Sequence, residues 1–201
     1  MKKSDVIIGL ITGEITAWYF IILFKGLMAK SGTVALVFWS LPVVFPLLTV
    51  FCLWIAHFIG KTLLFVFQLA KFLLIGVMAT IVDLGLLGLM VLISGITAGI
   101  GYAVIKGISF IVATCAKYMG DKVWAFEQKE TAKMGSEFVK FFLVTLIGLV
   151  INVSIASFTV NQIGPQFGLT AEVWANIGGI VAAFGTVLWN FVGYKFLVFK
   201  K

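Results

Sequence analysis

Between positions 6 and 24 the chain carries a single ionisable side chain, Glu14, and five more apolar runs of similar character follow. About 20 apolar residues coiled as a helix match the roughly 30 Å hydrocarbon core of a bilayer. Backbone polar groups find no water there, so a spanning segment must be a helix or part of a closed barrel. These runs are continuously apolar rather than alternating, which selects helices. They lie at 6–24, 33–59 (with Pro42 and Pro46), 72–93, about 100–120, 139–160 and 173–194. The stretch 62–94 is too long for one straight span and Lys71 divides it, so 61–71 is read as an interfacial segment. The expected fold is an all-α integral membrane protein with six transmembrane helices.

Composition agrees. Hydrophobic residues are 62% and charged ones 11%, against about 45–50% and about 25% in soluble domains. A soluble globule of this size has no interior large enough for that much apolar surface. The net charge is +7, and every one of the 15 basic residues is Lys. Without Arg, the usual bidentate reader of phosphates and bases, nucleic acid is not an expected partner.

Lys placement sets an expected orientation. The loops 94–100 and 161–171 lack Lys, whereas Lys61, Lys71, Lys122, Lys129, Lys133, Lys140, Lys195, Lys200 and Lys201 mark the other side. With six spans both termini are then cytoplasmic, adding Lys2 and Lys3 inside and leaving Lys25 and Lys30 as outside exceptions. The Met1-Lys2-Lys3 start looks like a signal-peptide head. Glu14 and the lack of a cleavage signal near 28–30 argue that the segment is retained. Cys52 and Cys115 fall in apolar runs and read as membrane-buried thiols. No Cys/His cluster suggests a metal, and no cofactor is expected.

The last 130 or so residues repeat themselves. Lys71-Phe72-Leu73-Leu74 aligns with Lys140-Phe141-Phe142-Leu143 at an offset of 69, which sets Asp83 opposite Asn152. Lys122-Val123-Trp124-Ala125-Phe126 aligns with Lys195-Phe196-Leu197-Val198-Phe199 at an offset of 73. Repeat one is 71–126 and repeat two 140–199, each two spans and a Lys-aromatic tail. Both start on the same side, so the repeats are parallel, and a substrate is expected at their interface.

On these residues the chain resembles the GtrA-like family of small bacterial membrane proteins over about 69–201. The cues are the Lys-Phe-Leu-Leu opening, Asp83, Lys122-x-Trp124-x-Phe126, Asn152, Trp189-Asn190-Phe191 and Lys195-x-x-x-Phe199. Family members usually carry Asn-Arg before the aromatic tail; here Asp121-Lys122 and Tyr194-Lys195 stand there. The resemblance implies a four-helix domain over 72–201. It also implies a role in cell-surface polysaccharide synthesis or glycosylation at the bacterial cytoplasmic membrane. The cargo would be a polyprenyl-phosphate-linked monosaccharide, and the partners membrane glycosyltransferases. The two extra helices in 1–60 lie outside it and have no assigned role.

An ionisable group in a bilayer core costs about 2.5–3.5 kcal/mol even on insertion scales, so each one needs a partner or a polar path. Asp83 lies on a helix face with Gly76, Thr80 and Leu87. Thr145, Gly148, Asn152 and Thr159 share a face in the fifth span, and Asn176, Gly179, Ala183 and Asn190 one in the sixth. Close helix packing explains such stripes as readily as a groove does. Lys106 and Lys117 are three turns apart, about 16 Å, and read as a ladder for a lipid phosphate. Snorkelling of both is the plain alternative, as is pairing of Lys106 with Asp83 or Glu14. Lys122, Trp124 and Lys195 suit an interfacial belt or a headgroup receiver. The candidate substrate-binding set is Asp83, Lys106, Lys117, Lys122, Trp124, Asn152, Asn190 and Lys195. Gly9 and Gly13 form a GxxxG packing signal. Pro42 and Pro46 are expected to kink span two. His57 reads as solvated or hydrogen-bonded, and 127–137 as a solvated connector.

One His and no paired carboxylates leave no enzymatic set, so no catalytic residue is expected. The leading expectation is a flippase. A proton-coupled exporter of lipophilic cations using Glu14 is a second reading, and a non-transporting glycosyltransferase subunit a third. A small bundle needs a second copy to enclose a path, which admits a homo-oligomer.

Overall fold

The computed structural model describes residues 1–24, 32–128, 130, 133–168 and 171–199, with backbone alone at 33, 171–173, 175 and 176. Lys25, Lys30, Lys129, Lys200, Lys201 and the Asn176 side chain, used in the sequence reading, lie outside it. Six helices are long and apolar enough to cross a membrane. They are α1 Lys3–Leu23, α2 Gly32–Gly60, α3 Leu64–Ser94, α4 Gly99–Gly120, α5 Met134–Ser157 and α6 Ala171–Gly193. No strand occurs among the described residues. The chain is a multi-pass, all-helical membrane protein.

The break expected at Lys71 is absent: α3 runs unbroken for 31 residues. At about 1.5 Å per residue that is roughly 46 Å, longer than the roughly 30 Å hydrocarbon core. A cation need not interrupt a helix when carboxylates meet it, and Lys71 has two.

The described residues form two compact units, 1–127 and 128–201. The first holds α1 to α4, so the two extra helices share a unit with repeat one. In it α1 lies close on α2. A methyl group at Gly9 would sit 2.9 Å from Leu53 Cδ1, and one at Gly13 2.5 Å from the Pro46 Cα. The GxxxG signal therefore marks real backbone approach, and Pro42 and Pro46 lie inside an otherwise continuous α2. Gly95 and Gly99 bracket the α3–α4 turn with φ of 69° and 72°, the left-handed region glycine tolerates.

The second unit is the α5–α6 hairpin. Its packing face on α6 is Gly178, Gly185 and Gly193, whose added methyls would meet Val160, Ile155 and Val144 within 2.8 Å. Gly179 and Ala183 of the expected stripe are exposed instead. The periodicity is shared by two adjacent faces, and the bulky partners on α5 and in the turn that follows it, Phe158–Ile163, select the one they fill. Large apolar side chains point outward from most helices, Leu92 at 81% and Ile100 at 86% exposure among them, as lipid-facing surfaces require.

The repeat is visible in local structure. After α4 the chain makes a π-helical turn, Asp121–Ala125, and after α6 another, Tyr194–Val198. Each closes with the same bond, Phe126 N–H to Asp121 O and Phe199 N–H to Tyr194 O, both 2.8 Å. Phe72 faces Phe126 at 6.5 Å between ring centres; Phe141 faces Phe199 at 6.3 Å. The aligned sequence cues are thus an aromatic clasp built twice.

Candidate functional site

An ammonium in an apolar run is stable only beside a carboxylate, and repeat one supplies such pairs. On α3, Asp83 accepts an ion-pair hydrogen bond from Lys106 of α4. The Ser109 hydroxyl, fully buried, donates to the other carboxylate oxygen at 2.6 Å. Of the two partners open to Lys106, the structure selects Asp83. Glu14 instead accepts the Trp18 indole hydrogen at 2.7 Å, one helical turn away. The pair is half-buried, with side-chain exposures of 39% for Lys106 and 19% for Asp83.

Three turns along α4, Lys117 pairs with Asp121 at 2.5 Å and lies 4.0 Å over the Phe72 ring. Asp121 is completely buried, and its Oδ1 has no hydrogen-bond partner among the described residues. Lys117 also lines a cavity of about 270 Å³ whose other walls are mostly apolar side chains of α1, α3 and α4. The ladder of open cations is therefore two closed ion pairs on one helix face. Each rung carries its own counter-charge.

A third cluster joins the start of α1 to repeat one. Asp5, 1% exposed, receives Lys71 at 2.9 Å and the Trp124 indole N–H at 2.9 Å. Lys71 also reaches Glu127 at 3.2 Å, and Lys2 reaches the same carboxylate at 2.7 Å. The Lys2 hydrogen bond, followed by that of Lys71, holds the Glu127 carboxyl below its ordinary range. Lys71 lies 4.6 Å over Phe67 and 5.5 Å over Trp124. Trp124 is thus a buried hydrogen-bond donor rather than an open interfacial anchor. Of the connector residues expected to be solvated, Glu127, Glu130 and Lys133 are exposed, Glu127 with its ion pairs at 43% side-chain exposure, whereas Glu137 is 8% exposed within α5. Asp5, Lys71, Asp121, Ser109 and Glu127 were not in the expected site. A signal was available for Lys71, a charge set in an apolar run that needs a partner; Asp5, just before the first run, carried none.

Lys122 is buried at 2% exposure and stands 5.9 Å over Tyr118; at the aligned place Lys195 stands 5.8 Å over Phe191. In the second unit Asn152 donates to Thr186 Oγ1 at 3.0 Å, and Trp189 donates to the Val144 carbonyl at 3.0 Å. Asn190 rests against Gly148 with its Oδ1 buried and without a hydrogen bond. Thr145 donates to the Phe141 carbonyl, which leaves the Tyr194 hydroxyl donating to Thr145 at 2.7 Å. Gly76 and Thr80 do not join Asp83: nothing lies within 4 Å of a methyl at Gly76, and Thr80 is exposed. His57 Nε2 accepts a hydrogen bond from the amino-terminal ammonium at 2.7 Å. Cys52 and Cys115 are exposed on their helices.

The two repeats share a scaffold but differ in charge. The positions aligned with Asp83, Lys106, Lys117 and Asp121 hold Asn152, Gly179, Asn190 and Tyr194, all neutral. The ion pairs described for repeat one therefore have neutral counterparts in repeat two.

The family model for the GtrA/DPMS transmembrane domain matches residues 71–199. No curated protein and no solved structure matches the chain. The match covers both repeats and more than half of the sequence, and the chain belongs to this family.

Proposed function

We propose that this GtrA/DPMS-family protein carries a polyprenyl-phosphate-linked monosaccharide across the bacterial cytoplasmic membrane for cell-surface polysaccharide synthesis or glycosylation. Its termini lie on the cytoplasmic side, and membrane glycosyltransferases use the cargo on the far side. The role is carriage rather than catalysis, and it needs no cofactor.

The observation that supports this is the pair of ion pairs on one face of α4. A lipid phosphate crossing oil must keep a counter-ion throughout, because an uncompensated charge there costs several kcal/mol. Lys106 with Asp83 and Lys117 with Asp121 are two such stations. At each, a phosphate can exchange with the resident carboxylate, so the ammonium is never left bare. Lysine suits this as a compact charge that releases as well as binds.

Proteoliposomes loaded with labelled polyprenyl-phosphate sugar test the reading. Wild type should move the label between leaflets, and Asp83→Ala and Lys117→Ala should each slow it at least about ten-fold, a barrier change of roughly 1.4 kcal/mol. Equal rates in all three would remove these residues from the path.

One observation favours a second reading. Glu14 lines an apolar groove of about 510 Å³ with Pro42, Val43 and Pro46, where a carboxylate suits a proton or a lipophilic cation. Proton-driven efflux abolished by Glu14→Gln would establish the exporter reading instead. A glycosyltransferase that co-purifies, with no movement of label by the chain alone, would establish the subunit reading.

A further inference from the structure

The cavity lined by Lys117 is closed on one side by a helix that lies outside the family-matched residues. Ile8, Ile11 and Thr12 of α1 line it, opposite Ile75 and Val82 of α3. The orientation of α1 explains why. Positions 5, 8 and 12 share a helix face. Asp5 on that face is tied to Lys71 and Trp124 of repeat one. Gly9 and Gly13, on the neighbouring face, set α1 against α2. The helix is therefore fixed by a buried ion pair at one end and by backbone contact along its back. Thr12, at 3% exposure, looks inward.

The chemistry of the lining selects a ligand. Among the described lining residues Lys117 carries the charge, and nearly all the rest is hydrocarbon. That combination fits a phosphate joined to an apolar tail. The volume, about 270 Å³, lies just below the usual range of ligand pockets, about 300 to 1,000 Å³. It has room for one chain rather than two.

We propose that α1 is part of the binding site. A single-tailed polyprenyl phosphate lies beneath it, with the phosphate at Lys117 and the first isoprene units against Ile8, Ile11 and Thr12. The first of the two helices added to the family domain then acts as a selectivity wall that admits one prenyl chain and turns away diacyl phospholipids. This rests on the lipid-carrier reading above.

The test uses the full chain in phosphatidylcholine nanodiscs, titrated with polyprenyl monophosphate and followed by native mass spectrometry. Thr12→Trp and Ile8→Trp fill the cavity and should weaken binding at least about ten-fold. Ile7→Trp, on a face 55% exposed, should leave it within about two-fold. Excess phosphatidylglycerol should not compete. A photoreactive benzophenone side chain at Ile8, which lines the cavity, should capture the lipid, and one at Ile7 should not, a readout independent of whether the tryptophan variants fold. Unchanged affinity in folded Thr12→Trp, competition by phosphatidylglycerol, or equal capture from both positions would overturn the proposal. Binding beneath α1 without movement between leaflets would sink the carrier reading alone. Movement unaffected by folded Thr12→Trp would sink the α1 site alone.

Discussion

Trp124 donates its indole hydrogen to Asp5 across 2.9 Å, joining the first turn of α1 to the π-helical turn that closes repeat one. The same carboxylate holds Lys71 at 2.9 Å, with side-chain exposures of 1% and 3%. One residue of a helix outside the family domain thus satisfies two of the family's sequence cues.

Asp5→Ala should therefore be among the most damaging single changes in the first unit. It leaves Lys71 buried with Glu127 alone, and breaking a buried pair by removing one partner costs about 3–5 kcal/mol. Thermal unfolding in detergent measures it. Combining it with Lys71→Ala should cost less than the two separate losses added together, because no orphaned ammonium remains. A single-variant loss below about 1 kcal/mol would show that α1 is held by its apolar contacts instead.

The Lys2–Glu127 bond makes a prediction about pH. Glu127 is held below its ordinary 4.5, first by the Lys2 hydrogen bond, so its contribution is complete above pH 4.5 and fades as pH falls through the lower folded value. Lys2 is held above its ordinary 10.5, first by the same bond, so its share is complete below 10.5 and fades as pH rises through the folded value. Stability attributable to this bond should be flat between those limits. The Tm difference between wild type and Glu127→Gln, followed against pH, should shrink on acidification below 4.5. A difference unchanged at pH 3 would mean that the charge of Glu127 contributes nothing.

Glycine contacts separate packing from mere composition. A methyl at Gly13 meets the backbone of Pro46 and Phe45 at 2.5–2.7 Å, and backbone cannot move aside as a side chain can. Gly13→Ala should cost about 1–3 kcal/mol by overpacking. Gly76→Ala, with open space around it, should be neutral or gain up to about 1 kcal/mol from helix propensity. Melting curves of the two variants in one detergent decide it; equal shifts would refute the close α1–α2 approach.

The charge difference between repeats predicts unequal mutations at aligned positions. Asp121→Asn removes the buried carboxylate that meets half-buried Lys117 at 2.5 Å, and should cost about 3 kcal/mol. Tyr194→Phe removes one neutral hydrogen bond of 2.7 Å, while Thr145 keeps the Phe141 carbonyl; about 1 kcal/mol is expected. Similar losses in chemical unfolding would mean that the pairing at Lys117 carries no special weight.

Much of the scaffold was legible because its cause is local. Hydrocarbon length marks the spans, and the residues aligned at offsets 69 and 73 are the ones that meet in the two aromatic clasps, Phe72 with Phe126 and Phe141 with Phe199. The candidate site was legible only in part. Asp83, Lys106 and Lys117 stood out as charges in oil. Asp121 did not, because it lies at the edge of an apolar run where a carboxylate reads as solvated. The α6 stripe met α5 at Asn190 but was one residue off at Gly179, since Gly178 and Gly179 fit the same periodicity and Val160, just past α5, is what distinguishes them.

The sequence by itself determined that this chain lives in a bilayer, how many times it can cross, and that its last two-thirds use one helical hairpin twice. These follow from the length of apolar runs and from self-similarity. Tertiary structure decided which cation meets which carboxylate. Asp83 and Lys106 are 23 residues apart, and Asp5 and Trp124 are 119. Such pairings depend on the rotation of each helix about its axis, which is fixed by the packing of every neighbour at once and is written in no single stretch of chain.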